Sequence, residues 1–163
     1  MKKKVALIVP SFQKLIYEKT KIRVGVPYSP NLTLATLAAG LLKDGHSVTI
    51  IDLNLAESPM EHLRERIAEF KPDYAGITFT TPLFYEMAKI GGLIKAMDPR
   101  ITVIGGGAHA SSLPEDTLNN SPLDIVVVHE GDVALREIVN GTVPGSIEGI
   151  YYRDNGRIAT PLR

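Results

Sequence analysis

Short, nearly continuous apolar runs recur along the chain at Val5-Ala6-Leu7-Ile8-Val9, Val48-Thr49-Ile50-Ile51, Tyr74-Ala75-Gly76-Ile77, Ile101-Thr102-Val103-Ile104 and Ile125-Val126-Val127-Val128. Strands that alternate apolar and polar residues have one wet face, whereas continuous runs belong to strands covered on both faces, the condition of a parallel sheet. Between the runs the apolar spacing becomes helical. Leu34, Leu37, Ala38 and Leu41 form a first stripe that Gly45 ends. Ser58-Pro59-Met60-Glu61 has the form of a capping box with proline at the first helical position, and Met60, Leu63, Ile67 and Phe70 make the stripe behind it. A third helix opens at Thr81-Pro82, buries Leu83, Met87, Ile90, Ile94 and Met97, and closes at Asp98-Pro99. A short fourth is expected from Pro114, and a fifth from about Asp132 to Asn140, before Gly141.

Strands alternating with helices predict an α/β fold with right-handed crossovers and helices on both faces of a parallel sheet. The expected architecture is flavodoxin-like (Rossmann-like), five-stranded, in the order 2-1-3-4-5. The tail departs from this pattern. Gly149 to Arg153 and Arg157 to Thr160 flank Asn155-Gly156, a pair suited to a type I′ turn, so a β-hairpin is expected there. The connection from Pro10 to Pro30 is far longer than the two to six residues usual in such units. Its Lys14, Tyr17, Lys19, Lys21, Arg23 and Tyr28 read either as a cover over a ligand or as an insertion without a role.

Composition narrows the function. The chain has 163 residues, enough for one domain burying about 70% of its unfolded surface without a metal or disulfide. It has no cysteine, so thiolate zinc and iron–sulfur sites are excluded within these residues. With 18 basic and 18 acidic residues and a formal net charge of +0, nothing favours nucleic acid or anionic lipid as partner. Met1-Lys2-Lys3-Lys4 before the first run resembles the start of a signal peptide, but the apolar stretch stops at Pro10. No apolar stretch approaches the ~20 residues of a membrane span. A cytoplasmic location is the expectation.

Open parallel sheets bind ligands at the carboxyl ends of their strands. Candidate chemistry therefore lies at Pro10-Ser11-Phe12, at Thr78, Thr80 and Thr81, at Gly105-Gly106-Gly107 with His109, and at His129-Glu130-Gly131-Asp132. Three successive glycines remove every Cβ and admit either a close ligand or a tight turn. The threonines offer hydroxyls, although threonine also favours strands and caps. His109 and Glu130 are the titratable candidates, with no HxxxH or paired-carboxylate spacing to make either a metal ligand or a catalytic group. A Walker loop, a G-x-G-x-x-G turn after the first strand and the acidic pair of a phospho-acceptor domain are all missing.

Taken together, Pro30 to His46, Pro72-Asp73 with Gly76-Ile77-Thr78, Val103 to His109, Asp124 to Asp132 and Ile147 to Arg153 resemble the N-terminal cobalamin-binding domain of B12-dependent radical S-adenosylmethionine enzymes, of the anaerobic Mg-protoporphyrin IX monomethyl ester oxidative cyclase and methyltransferase type. The resemblance implies cobalamin with its corrin over the strand ends and its nucleotide tail between sheet and helices. By position it places Thr78, Thr80, Thr81, Gly105, Gly106, Gly107, His109, Glu130 and Gly131 at the cofactor, with no catalytic residue and no protein ligand to a metal. It implies a cofactor-binding unit over 1–146 and, over 147–163, a hairpin and the start of a linker to a radical domain outside this chain, where S-adenosylmethionine and a 4Fe–4S cluster would bind. Two departures stand out: an additional glycine in the turn, and His129 where the family more often has Gly. The D-x-H-x-x-G motif of related domains, whose histidine ligates cobalt, is missing after the first strand. The alternative is a self-contained flavodoxin-like enzyme binding a nucleotide or flavin at the same rim.

Overall fold

The computed structural model describes residues 1–12, 31–154 and 156–160. Most of the long connection after the first strand, with its lysines, Arg23 and tyrosines, lies outside the described residues. Among the described residues seven strands form one sheet: β1 (Lys4–Val9), β2 (Ser47–Asp52), β3 (Tyr74–Thr78), β4 (Thr102–Gly106), β5 (Ile125–Val127), β6 (Ile150–Asp154) and β7 (Arg157–Ala159). Their spatial order is β2-β1-β3-β4-β5-β6-β7. The first five are parallel, in the expected 2-1-3-4-5 order. The hairpin is no appendage: β6 pairs antiparallel with β5 and β7 with β6, extending the sheet past its parallel part. Asp154 pairs with Arg157 across a two-residue connection in which Gly156 has φ +80°, although Asn155 itself lies outside the described residues.

Among the described residues the α-helices are α1 (Leu32–Lys43), α2 (Pro59–Phe70), α3 (Phe84–Met97), α4 (Ala108–Ser112), α5 (Pro114–Asn119) and α6 (Gly131–Asn140). Asn31 caps α1, its side chain accepting from the Leu34 N–H at 3.0 Å. Ser58 precedes α2 without any side-chain cap bond, so the capping-box pattern marks the right start while the box itself does not close. At Thr81-Pro82 the chain first makes a 3₁₀ turn, Thr81–Leu83, and continues as α3. The short helix α4 has no apolar stripe long enough to announce it.

Two cores result, one per face of the sheet. On one, Ala6, Ile8, Ala75, Ile77, Val103 and Val126 meet Leu63 and Ile67 of α2, Met87, Ile90 and Ile94 of α3, and Leu118 of α5. On the other, Val5, Leu7, Ile104, Ile125 and Val127 meet Leu34, Ala38 and Leu41 of α1 and Leu135, Ile138 and Val139 of α6. Strand alternation assigns each residue to its face, and the continuous runs supply apolar side chains to both. Toward their carboxyl ends α1 and α6 are joined by a polar clamp: Arg136 donates to Asp44 through Nε at 2.8 Å and Nη2 at 2.7 Å. Asn140 also donates to Asp44 at 3.1 Å, and its Oδ1 lies 3.0 Å from His46 Nε2. The paired guanidinium holds the Asp44 carboxyl down at about 2.

Candidate functional site

At the opposite ends of the same two helices, where no clamp joins them, lies a cavity of about 580 Å³, within the ~300–1,000 Å³ of small-molecule sites. Its floor is the carboxyl half of the sheet, and its walls are the first turns of α1 and α6. Register orders the floor in layers. Leu7, Gly76 and Ile104 are neighbours in one layer, all three apolar. Thr78 and Gly106 pair in the next, with Val127 beside them. Beyond the strands come Gly107 and the segment His129-Glu130-Gly131-Asp132, while Leu32, Thr33, Thr36 and Leu37 approach from α1. Polarity thus rises from the middle of the sheet to the mouth. The Thr36 hydroxyl donates its proton to the Leu32 carbonyl at 3.0 Å, which leaves it to act only as an acceptor on this wall.

The three glycines of the turn do three different things. A Cβ on Gly105 would come within 2.3 Å of Leu123 Cδ1, on the face away from the cavity. On Gly106 it would project to the cavity face and meet nothing nearer than the Val127 carbonyl oxygen at 3.8 Å. Gly107 has φ +111°, and a Cβ there would press on the Phe79 carbonyl at 2.6 Å, so this residue makes the turn into α4. Gly76 completes the cleared floor, since its Cβ would meet Leu7 Cδ2 at 3.1 Å.

Of the residues singled out in the sequence, Thr78, Gly105, Gly106, Gly107, Glu130 and Gly131 line the cavity, and Thr80, Thr81 and His109 do not. Alternation explains the threonines: Thr78 is the last residue of β3 and shares Gly76's face, after which the chain leaves the sheet. His109 is carried by α4 to the other face. It is 7% exposed, lies against the rings of Phe79 and Phe84 at 5.7 and 5.0 Å between centroids, and shares a hydrogen bond with Thr81 Oγ1 at 3.1 Å through Nδ1. Its Nε2 is buried with no hydrogen-bond partner among the described residues. His129, by contrast, is exposed, stands at the cavity with φ +58° and donates its N–H to Ser111 Oγ at 2.9 Å. Residues not anticipated include Gly76, Leu7 and the α1 set; sheet-face alternation from Gly106 would have found the first two. No group of three or more His, Asp or Glu among the described residues is placed to hold a metal ion, and no described helix is long and apolar enough to cross a membrane.

A B12 binding domain family model matches residues 21–139. The chain is 31% identical over 160 residues to an uncharacterized methyltransferase of Pyrococcus horikoshii, a match covering 95% of this chain and 34% of that protein. It is 28% identical over 143 residues to the anaerobic magnesium-protoporphyrin IX monomethyl ester cyclase of Rubrivivax gelatinosus, covering 81% and 26% of the two chains. Among solved structures, the radical S-adenosylmethionine methyltransferase TsrM from Kitasatospora setae, with cobalamin and a 4Fe–4S cluster bound, superposes with a TM-score of 0.79 at 22% identity, covering 99% of this chain and 31% of that one. The cobalamin-dependent S-adenosylmethionine radical enzyme OxsB, with aqua-cobalamin and S-adenosylmethionine bound, also gives 0.79, at 19% identity and 99% and 22% coverage. At these identities the structural likeness establishes the fold. The chain spans about a third or less of the length of these proteins.

Proposed function

The chain belongs to the B12-binding domain family, and from that premise we propose that it holds cobalamin for a radical S-adenosylmethionine domain of the same protein, without being catalytic by itself. The observation that carries the reading is the cavity at the strand ends between α1 and α6, apolar inside and polar at the mouth. It fits an elongated ligand with an apolar aromatic end and a polar linkage, such as cobalamin's nucleotide tail. Gly76 and Gly106, bare of side chains on the cavity face, give the base passage along the floor. Thr78 would offer a hydroxyl at the level where the linkage turns polar. Among the described residues the N-cap residue of α6, Glu130, makes no side-chain cap bond to its first turn beside Gly131, a setting that suits a phosphate. The corrin would then rest over the strand ends. Exposed Phe12, Leu32, Leu55, Tyr85 and Val133 follow strands or open helices at that end, an apolar rim suited to the corrin's edge and to a covering domain.

When bound, cobalamin supplies a redox-active cobalt suited to methyl transfer or to a ring-forming oxidation. This chain's residues bind and orient the group and shield its tail from water. The 4Fe–4S cluster and S-adenosylmethionine belong, in this reading, to the downstream domain, since the cluster takes cysteine ligands and this chain has none. The unit over 1–146 would carry the site and 147–163 would lead toward that domain, in a cytoplasmic protein. Hydroxocobalamin added to the purified chain should remain, by its visible absorbance, after desalting. Loss of the corrin, or retention of a flavin or nucleotide in its place, would overturn the reading.

A further inference from the structure

Helix α4 has five residues, too few to be stable alone, yet it is bonded in two directions. On one side His109 ties it to Thr81 and the two phenylalanine rings beyond β3. On the other, the Ser111 hydroxyl accepts the His129 N–H at 2.9 Å. His129 is one of two described non-glycine residues with positive φ, a conformation that a residue with a Cβ adopts at a cost. The residue before it is anchored separately, Val128 N–H donating to the Gly149 carbonyl at 2.9 Å. Between that anchor and the first turn of α6 the chain therefore passes through one strained residue whose N–H is held from α4, and the next three residues, Glu130, Gly131 and Asp132, all line the cavity. Ser111 does not.

We propose that Ser111 is a positioning residue: by holding His129 in the left-handed conformation it sets where Glu130 to Asp132 stand on the cavity wall, so ligand affinity depends on a hydroxyl that does not touch the ligand. The proposal rests on the cobalamin reading. Only the fraction of molecules with this segment in place binds, so relaxing it raises the apparent Kd by the reciprocal of that fraction. Four forms of the chain decide it: parent, Ser111→Ala, His129→Gly and the double variant, each titrated with hydroxocobalamin. Loss of the one hydrogen bond should weaken binding measurably in the His129 chain, by up to about tenfold. It should weaken binding no further once residue 129 is glycine, because glycine takes positive φ without help. A merely structural serine would lower the melting temperature and leave Kd alike in both backgrounds. Equal losses in the two backgrounds, or none in either, would overturn the proposal. Nuclear magnetic resonance of the ligand-free chain gives a readout free of the cofactor: the residue 129 amide should lose its exchange protection in Ser111→Ala, and unchanged protection counts against the proposal. Failure of the parent to bind hydroxocobalamin would fall on the cobalamin reading, and the amide measurement alone would then decide the role of Ser111.

Discussion

Replacing Gly106 by valine tests the site most cleanly, because the structure separates its effect on binding from its effect on folding. The new Cβ finds no atom nearer than 3.8 Å, and Gly106 closes a strand, where a β-branched residue is better tolerated than glycine. The ligand-free variant should therefore melt at or slightly above the parent's temperature. With the tail in place the two methyl groups occupy floor that the ligand needs. Overpacking a fitted apolar site costs about 1–3 kcal/mol, which is about a 5- to 150-fold rise in Kd. Gly107→Val is a poor substitute: φ +111° and the Phe79 carbonyl at 2.6 Å would damage the turn itself. Thr80→Ala serves as the control, because Thr80 is exposed and lies off the cavity, and its Kd should match the parent's. The assay is a visible-absorbance titration with hydroxocobalamin, beside thermal unfolding of the ligand-free proteins. A folded Gly106→Val variant that binds as tightly as the parent would remove the glycine floor from the site.

Bound Co(II) cobalamin should show no axial nitrogen from the protein: His109 faces the opposite side of the sheet, and electron paramagnetic resonance should be unchanged by His109→Ala or His129→Ala. Nitrogen splitting abolished by His129→Ala would make His129 the axial ligand. A cobamide whose lower base is adenine should bind about 5- to 150-fold more weakly than one bearing dimethylbenzimidazole, since the layer of Leu7, Gly76 and Ile104 leaves the adenine amine unpaired; equal affinities in competition would place the base elsewhere. The clamp of Asp44 and Arg136 should stabilise the fold fully above about pH 4 and lose its contribution as pH falls toward about 2, because the folded-state carboxyl is lowered to about 2 from 3.8. Melting temperatures at descending pH should drop less for Asp44→Asn than for the parent, and parallel curves would refute the assignment.

The parallel sheet was legible because each run of apolar residues had to be covered on both faces, and the helical stripes between the runs said by what. Order 2-1-3-4-5 was expected because five such units are the usual complement of the flavodoxin-like fold, and the parallel strands take it. The hairpin was legible from Asn155-Gly156, but its pairing with β5 was not, since nothing local in Ile150–Asp154 names its neighbour. Within the site, a run of three glycines looks like one feature in a string of letters. In space its members face a core, a cavity and a turn, and only the parity of the strand distinguishes them. His109 shows how little nearness in sequence says about place: two residues beyond the glycines, it is carried to the other face by a helix too short to be announced by any periodicity. The α1 wall went unread because its Leu32, Thr33 and Thr36 would pass for an ordinary exposed first turn until α6 is set opposite.

The sheet's two faces differ in completeness. At the strands' carboxyl ends one is closed by packed side chains, and at Gly91 an added Cβ would lie 2.9 Å from Pro122. The other stops short, its helices clamped at one end and parted by empty space at the other. A ligand seated there is the missing part of a hydrophobic core, and its concentration becomes a term in the folding equilibrium. At a hundred times Kd it would add about 2.7 kcal/mol to stability. Variation on the filled face is constrained by packing at all times, whereas variation on the open face is constrained only as far as the ligand is present, so the two halves of one sheet are free to diverge at different rates.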